Sequence, residues 1–215
     1  VKRWNRFRSH ACRPLLNKMK DNKEVYLITD ADSLMYAACL CSKEEDPEGF
    51  VRESGHAISR FDESFQSIVN DLYEHHNVDV THYIFVVGGI NNFRKLLVPS
   101  YKANRLKREV PPMLNFISSY VQSTYGAYAA HGCEADDVVM ATYKKLTAEG
   151  KYAIIASLDK DLKQQPCIFY DVYYQRRTLV TVDEDQARFN YYSQMLMGDA
   201  TDNVQAIKGI GVKTA

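Results

Sequence analysis

Glu134, Asp136 and Asp137 put three carboxylates within four residues, just ahead of Val138, Val139 and Met140, where the chain turns apolar. At about 100° per residue on a helix, Glu134 and Asp137 share a face and Asp136 stands at its edge, so their charges repel. The positive end of a helix dipole offsets about 0.3–1 kcal/mol of that for each acid, and a bound cation offsets far more. Taken alone, an acidic helix start is a well-capped first turn. This one has company: Asp30 follows the apolar run 25–29, Asp159 and Asp161 follow the apolar run 152–156, and Asp199 and Asp202 follow Gly198. Brought within a few ångströms, these eight carboxylates cannot all ionise without cations. All-oxygen ligation selects hard ions such as Mg²⁺ or Mn²⁺, and so rich a set suggests two of them roughly 4 Å apart. That pairing suits phosphodiester hydrolysis: one ion lowers the pKa of a water and the other stabilises the leaving oxygen.

The segment 91–110 supplies the opposite charge. It carries Arg94, Lys95, Lys102, Arg105, Lys107 and Arg108 against Glu109, with Phe93 and Tyr101 interleaved. A phosphate substrate must be drawn to a site whose own side chains are negative; Lys102 and Arg105 are expected to face the scissile phosphate, and Tyr101 or Phe93 to stack on a base. Near the end, Gly209 and Gly211 stand between Lys208 and Lys213, where backbone amides can approach a phosphate closely.

These residues need a scaffold that gathers them. The runs 25–29, 83–87 and 152–156 read as buried strands, 127–130 as a brief strand, and 167–172 with 179–182 as an edge pair. Helices are expected after Asp32 or Ser33, through Phe61, Phe65, Ile68 and Leu72, after Pro111 and Pro112, from the acidic cluster through Ala135, Val139, Thr142, Tyr143 and Leu146, and from about 185 to 197 through Phe189, Tyr192 and Leu196. The polar stretch 43–59, with Pro47, Gly49 and Gly55, is expected to be a loop. Strands alternating with helices predict an α/β fold, a mostly parallel central sheet with helices on both faces. In such folds ligands bind beyond the carboxyl ends of the strands, where Asp30 and Asp159 fall.

A length of 215 residues suffices for one α/β core with a small appendage. Lys plus Arg and Asp plus Glu both number 27, yet the first 23 residues hold eight Lys or Arg against Asp21 alone. Such an arm contacts phosphate or is simply solvated. Five cysteines without a C-x-x-C pair argue against a disulfide framework and a structural zinc site, and fit a reducing cytoplasm. No apolar run has the length of a membrane span, and the N-terminus is too charged for a signal peptide. With no initiator Met and an end at Ala215 in mid-element, the chain is expected to be a piece of a longer one.

The ordered set Asp30, Tyr101-Lys102-Ala103-Asn104-Arg105, Glu134-Ala135-Asp136-Asp137, Asp159-Lys160-Asp161, Gly198-Asp199 with Asp202-Asn203, and Gly209-Ile210-Gly211 resembles the 5′-nuclease superfamily, above all bacteriophage 5′-to-3′ exonucleases and flap endonucleases. The resemblance implies a monomeric metal-dependent hydrolase of DNA near 5′ ends or flaps, acting in replication or recombination and also on RNA in RNA–DNA hybrids, in the host cytoplasm if phage-encoded. It implies one ion held mainly by Asp30, Glu134 and Asp136, and another by Asp137, Asp159, Asp161, Asp199 and Asp202. Lys102 matches the family's catalytic lysine and Arg105 its basic companion, while 91–110 matches the arch that passes single strands. Arg94, Tyr101, Lys107, Arg108, Lys208, Gly209, Gly211 and Lys213 are then DNA-binding. The implied organisation is a basic arm 1–23, a catalytic domain 24–197, and the start of a helix-hairpin-helix at 198–215 that binds DNA and K⁺. The phage enzymes carry a further aspartate after the strand that here ends in Gly88 and Gly89, with Gly89 matching its place when the chain is aligned backward from Tyr101. On that basis Gly89→Asp is expected to supply a missing ligand, unless the glycines serve a close backbone approach. Two rival readings are a structure-specific DNA-binding protein with weakened catalysis and a ribonuclease of the PIN type.

Overall fold

The structure, a computed structural model, describes residues 24–39, 47–107, 109–173 and 175–210. The basic arm 1–23, Arg108, Gly211 and Lys213 lie outside them. Strand β1 (Val25–Asp30) runs into helix α1 (Ala31–Cys39), and helix α2 (Pro47–His76) leads to β2 (His82–Gly88). The short helix α3 (Phe93–Leu97) and a 3₁₀ turn (Ala103–Lys107) precede α4 (Leu114–Tyr125) and β3 (Tyr128–Ala130). Then come α5 (Ala135–Ala148), β4 (Tyr152–Ser157), a 3₁₀ turn (Lys160–Gln164), β5 (Cys167–Asp171), β6 (Leu179–Val182) and α6 (Glu184–Met197).

The sheet order is β3-β2-β1-β4-β5-β6, parallel throughout except for β6, which pairs antiparallel with β5 at one edge. Every residue of β4 is buried, as a strand covered on both faces requires. Side chains alternate between two apolar layers. Leu27, Phe85, Val87, Ile154 and Ala156 face a layer with Leu34, Phe61, Ile68 and Ile117 of α1, α2 and α4. Ile28, Val86, Ala153 and Ile155 face the other, with Val139, Tyr143 and Leu146 of α5 and Ala187 of α6. Helices therefore cover both faces, as the alternation of elements predicted.

Two expectations need correction. Residues 47–59 are helical, not a loop: α2 runs for 30 residues through Gly49 and Gly55. Glycine in a helix costs about 1 kcal/mol relative to Ala, and the buried stripe Ala57, Phe61, Phe65, Ile68 and Leu72 outweighs it. Helix α6 also turns the other way. Phe189 and Tyr192 point to solvent, at 61% and 56% exposure, while Ala187 and Ser193 are buried. The helix docks by polar contacts, with Asn190 Nδ2 donating to the Lys163 carbonyl and Gln194 Nε2 to Asp199 Oδ2 at 2.8 and 3.1 Å. Apolar periodicity finds the core face only where the core is apolar.

Candidate active site

Alternation along β1 decides where Asp30 points. Ile28 faces α5, so Asp30, two residues on, projects to the same side at the carboxyl end of the strand. By the same parity Ser157, the last residue of β4, lies beside it: Ser157 Oγ donates to Asp30 Oδ2 at 2.9 Å and accepts from the Asp159 N–H at 2.9 Å. One buried hydroxyl thus ties the acid of β1 to the acid that follows β4. Asp159 in turn accepts the Asp161 N–H at 2.8 Å, opening the 3₁₀ turn and aligning both carboxylates.

Helix α5 buries Ala135, Val139, Tyr143 and Leu146, which leaves the acids of its first turn facing the strand ends. Asp137 reaches back to the Glu134 N–H at 3.0 Å, fixing the helix start. The basic segment lies folded onto this turn. Arg94 holds Asp137 through two hydrogen bonds, at 2.5 and 2.8 Å. Lys102 Nζ pairs with Glu134 Oε1 at 2.5 Å and stands 3.6 Å from Asp202 Oδ2. Tyr101 directs its hydroxyl at both Glu134 and Asp202, within 2.9 and 2.8 Å, so the ring expected to stack on a base is anchored among the acids. Arg105 pairs with Asp202 at 2.6 Å. Backbone bonds set this arrangement: the Lys102 N–H donates to the Asp202 carbonyl at 3.0 Å, and Asn104 Nδ2 to the Ala200 carbonyl at 2.9 Å. Lys102 itself has φ 55°, a left-handed conformation that costs a non-glycine residue about 1–2 kcal/mol.

The acids divide into two sets. Glu134, Asp137, Asp199 and Asp202 are ion-paired, Asp199 with Lys160 at 3.1 Å. The Arg94 guanidinium holds Asp137 below the usual carboxylate range. Burial pushes Asp199 up, but Lys160 and the Thr201 N–H outweigh it and leave the carboxyl low. Asp30, Asp136, Asp159 and Asp161, by contrast, form no ion pair among the described residues. Burial, and then repulsion from Asp32, raises Asp30 to about 6. Burial, and then repulsion from Asp159, Asp30 and Glu134, raises Asp136 to about 8. Asp161 is raised by burial and by Asp159, and its buried Oδ1 has no hydrogen-bond partner. An all-oxygen donor set with an orphaned buried acceptor and no internal cation fits a hard divalent ion. Among the described residues no three acids yet stand as a ready coordination cage. Two clefts of about 500 and 800 Å³ meet along Glu134, Asp136, Asp159, Asp161 and Asp202, the length of this row.

Residues 25–192 match the family model described as the 5′-3′ exonuclease N-terminal resolvase-like domain. The chain belongs to this family. Among its relatives, the 5′-3′ exonuclease of Buchnera aphidicola subsp. Schizaphis graminum is 26% identical over 211 residues, covering 90% of this chain and 69% of that protein. DNA polymerase I of Chloroflexus aurantiacus is 30% identical over 206 residues, covering 88% of this chain and 21% of the polymerase. A flap endonuclease of bacteriophage T5, solved with DNA and metal ions, shares the fold at TM-score 0.63 and 18% identity, over 88% of this chain and 72% of that one. The catalytic core of Rad2, solved with DNA substrate, does so at TM-score 0.54 and 16% identity, over 95% and 65%. The 5′-nuclease fold expected from the motif order is thus the fold observed.

In this 5′-nuclease the structure brings all eight expected acids, with Lys102, Arg105, Tyr101 and Arg94, around one row of clefts. Arg94, expected on DNA, is paired with Asp137 in this structure. Lys107 contributes its backbone to the 3₁₀ turn. Lys208 is exposed, and Gly209, at φ 89°, makes a turn closed by the Ile210 N–H on the Ile207 carbonyl at 3.0 Å. The expected gain from Gly89→Asp is overturned: a Cβ there would lie 2.1 Å from the Ala130 carbonyl oxygen, so this glycine serves a close backbone approach to β3. Sequence reasoning missed Ser157, Asn92, whose Nδ2 donates to Glu134 Oε1 at 2.9 Å, and the placement of Asp32. A serine two residues before Asp159 at a strand end was the only signal for the first.

Proposed function

We propose that this chain is the nuclease module of a divalent-cation-dependent 5′-to-3′ exonuclease and flap endonuclease, cutting DNA near 5′ ends and also RNA in RNA–DNA hybrids. The observation that carries this reading is the row of carboxylates that form no ion pair among the described residues, buried Asp30 and half-buried Asp136, Asp159 and Asp161, beside the cations of Lys102 and Arg105. Those four acids would hold two Mg²⁺ or Mn²⁺ ions, joined by Glu134, Asp137, Asp199 and Asp202 as these exchange their basic partners. Such ions supply a water of lowered pKa and positive charge at the leaving oxygen. Lys102 and Arg105 exchange Glu134 and Asp202 for phosphate oxygens of the substrate, where their charge stabilises the transition state. Residues 91–110 would guide the single strand as an arch, with Arg94, Tyr101, Lys107 and Arg108 on it. Lys208, Gly209, Gly211 and Lys213 would begin a helix-hairpin-helix on duplex backbone with K⁺, and the arm 1–23 would add phosphate contacts. The module would work as a monomer in the cytoplasm; no described helix is long and apolar enough to cross a membrane.

Asp161→Asn tests the reading. With Mg²⁺, 5′-flap, recessed-duplex and RNA–DNA substrates should be cut by the wild type and not by the variant. In Ca²⁺ the two should bind flap DNA within a few-fold of each other, because most affinity comes from phosphate contacts. Wild-type turnover by Asp161→Asn refutes the site.

A further inference from the structure

Asp32 is the acid at this site that no motif marks. It stands in the first turn of α1, and its N–H donates to Asp30 Oδ1 at 3.2 Å. Its side chain crosses to the end of β2, where Oδ1 accepts the Gly88 N–H at 2.8 Å. Gly88 shares the strand parity of Val86, so any side chain at 88 would project to the α5 side, toward Asp30. The three atoms nearest a Cβ built on Gly88 all belong to Asp32: Oδ2 at 2.6 Å, Cγ at 3.4 Å and Oδ1 at 3.5 Å. The carboxylate of Asp32 therefore fills the space that a strand-end side chain at 88 would occupy. It lines the same cleft as Asp30, Glu134, Asp136 and Asp159.

Anchoring the Gly88 N–H does not explain a carboxylate here. An Asn oxygen would accept the same bond without setting a second negative charge beside Asp30, and Asp32 forms no ion pair among the described residues. Oδ2 makes no hydrogen bond there either. With Oδ1 tied to β2, Oδ2 is held in place at no further cost in side-chain freedom, which is the condition of a preorganised ligand.

We propose that Asp32, projecting from α1, supplies the carboxylate that the glycine end of β2 lacks, and that its Oδ2 ligates the divalent cation held beside Asp30. This rests on the divalent-cation reading above. Its test measures Mn²⁺ binding to the full chain without substrate, by calorimetry and by the electron paramagnetic resonance of free Mn²⁺. Asp32→Asn should weaken one Mn²⁺ by at least about tenfold and spare the other, while the unfolding midpoint in chelator stays level or rises, since the Gly88 acceptor remains and a repulsion goes. Asp32→Ala should lose the same binding. Adding Gly88→Asp to Asp32→Ala returns a carboxylate to the space from the strand side and should restore it. Wild-type Mn²⁺ affinity in Asp32→Asn makes Asp32 a backbone anchor only and overturns the proposal. So does a double variant that folds but binds no better than Asp32→Ala, the deciding comparison if Asp32→Asn does not fold. A wild type that binds no Mn²⁺ overturns the cation reading itself, whereas two Mn²⁺ unaffected by either Asp32 substitution overturn only this inference.

Discussion

Lys102 shows how a single residue is committed to a site. Its ammonium is paired with Glu134, its ring neighbour Tyr101 lies 5.0 Å away, and its backbone is held left-handed by the bond to Asp202. A strained residue persists where its surroundings over-determine it, and here they aim a cation into the acid row. Lys102→Ala should lower the single-turnover cleavage rate by at least about a hundredfold, the usual loss when a transition-state charge is removed. A change confined to DNA affinity would take Lys102 out of catalysis. Gly89 makes the opposite point, because its value is the absence of a side chain. With the Ala130 carbonyl in the way, Gly89→Asp must move backbone, at a cost of about 1–3 kcal/mol for an overpacked site. Activity should fall at every Mg²⁺ concentration and the unfolding midpoint should drop. A leftward shift of the Mg²⁺ activation curve would sink this account.

At the scale of elements, the loop after α6 is the part on which the basic segment is fitted. Asp199 and Val204 exchange backbone hydrogen bonds at 2.9 and 2.8 Å, and Gly198 turns the chain at φ 65° where the backbone of 204–206 fills the space a Cβ would need. Onto this loop dock Asn104, through Ala200, and Ser100, whose carbonyl accepts from Asn203 Nδ2 at 2.9 Å. Gly198→Ala would put a Cβ 2.5 Å from the Ala206 nitrogen in a conformation that disfavours side chains. It should therefore lower stability by at least about 1 kcal/mol and, by shifting Asp199 and Asp202, raise the Mg²⁺ needed for half-maximal cleavage. Stability loss with an unchanged Mg²⁺ dependence would separate the loop's shape from the site.

For the whole molecule, the acids set how stability depends on pH. Asp30 and Asp136 keep their protons in the folded state up to about 6 and about 8, whereas an unfolded chain releases them near 3.8. Their contribution is complete below about 4 and is lost as pH rises through those values. Asp137 and Asp199, held low by their basic partners, act in reverse, and lose their contribution only as pH falls below the ordinary carboxylate range. In chelator the unfolding midpoint should thus fall by at least about 3 °C between pH 5 and 8.5, and Mn²⁺ should remove that fall. A midpoint that stays level or rises over the same interval in chelator would show that the acids do not repel as the geometry requires.

Much of this was written in local sequence. Apolar runs ending on Asp30 and before Asp159, turn residues between them, and an acidic helix start each follow from short-range chemistry, so strand positions, the parallel sheet and the acid row were legible in order along the chain. Pairing across long separations was not. Which carboxylates keep a free oxygen depends on Arg94 meeting Asp137 and Arg105 meeting Asp202, 43 and 97 residues away. That α2 reaches back to Pro47 and that α6 docks through Asn190 rather than Phe189 depend on what surface each helix meets. The resemblance to the phage enzymes also suggested a ligand missing at the end of β2, because a sequence records a residue only on its own strand. Tertiary structure brings the carboxylate of Asp32 to Gly88 across 56 residues, since a parallel sheet sets the carboxyl ends of β1 and β2 side by side.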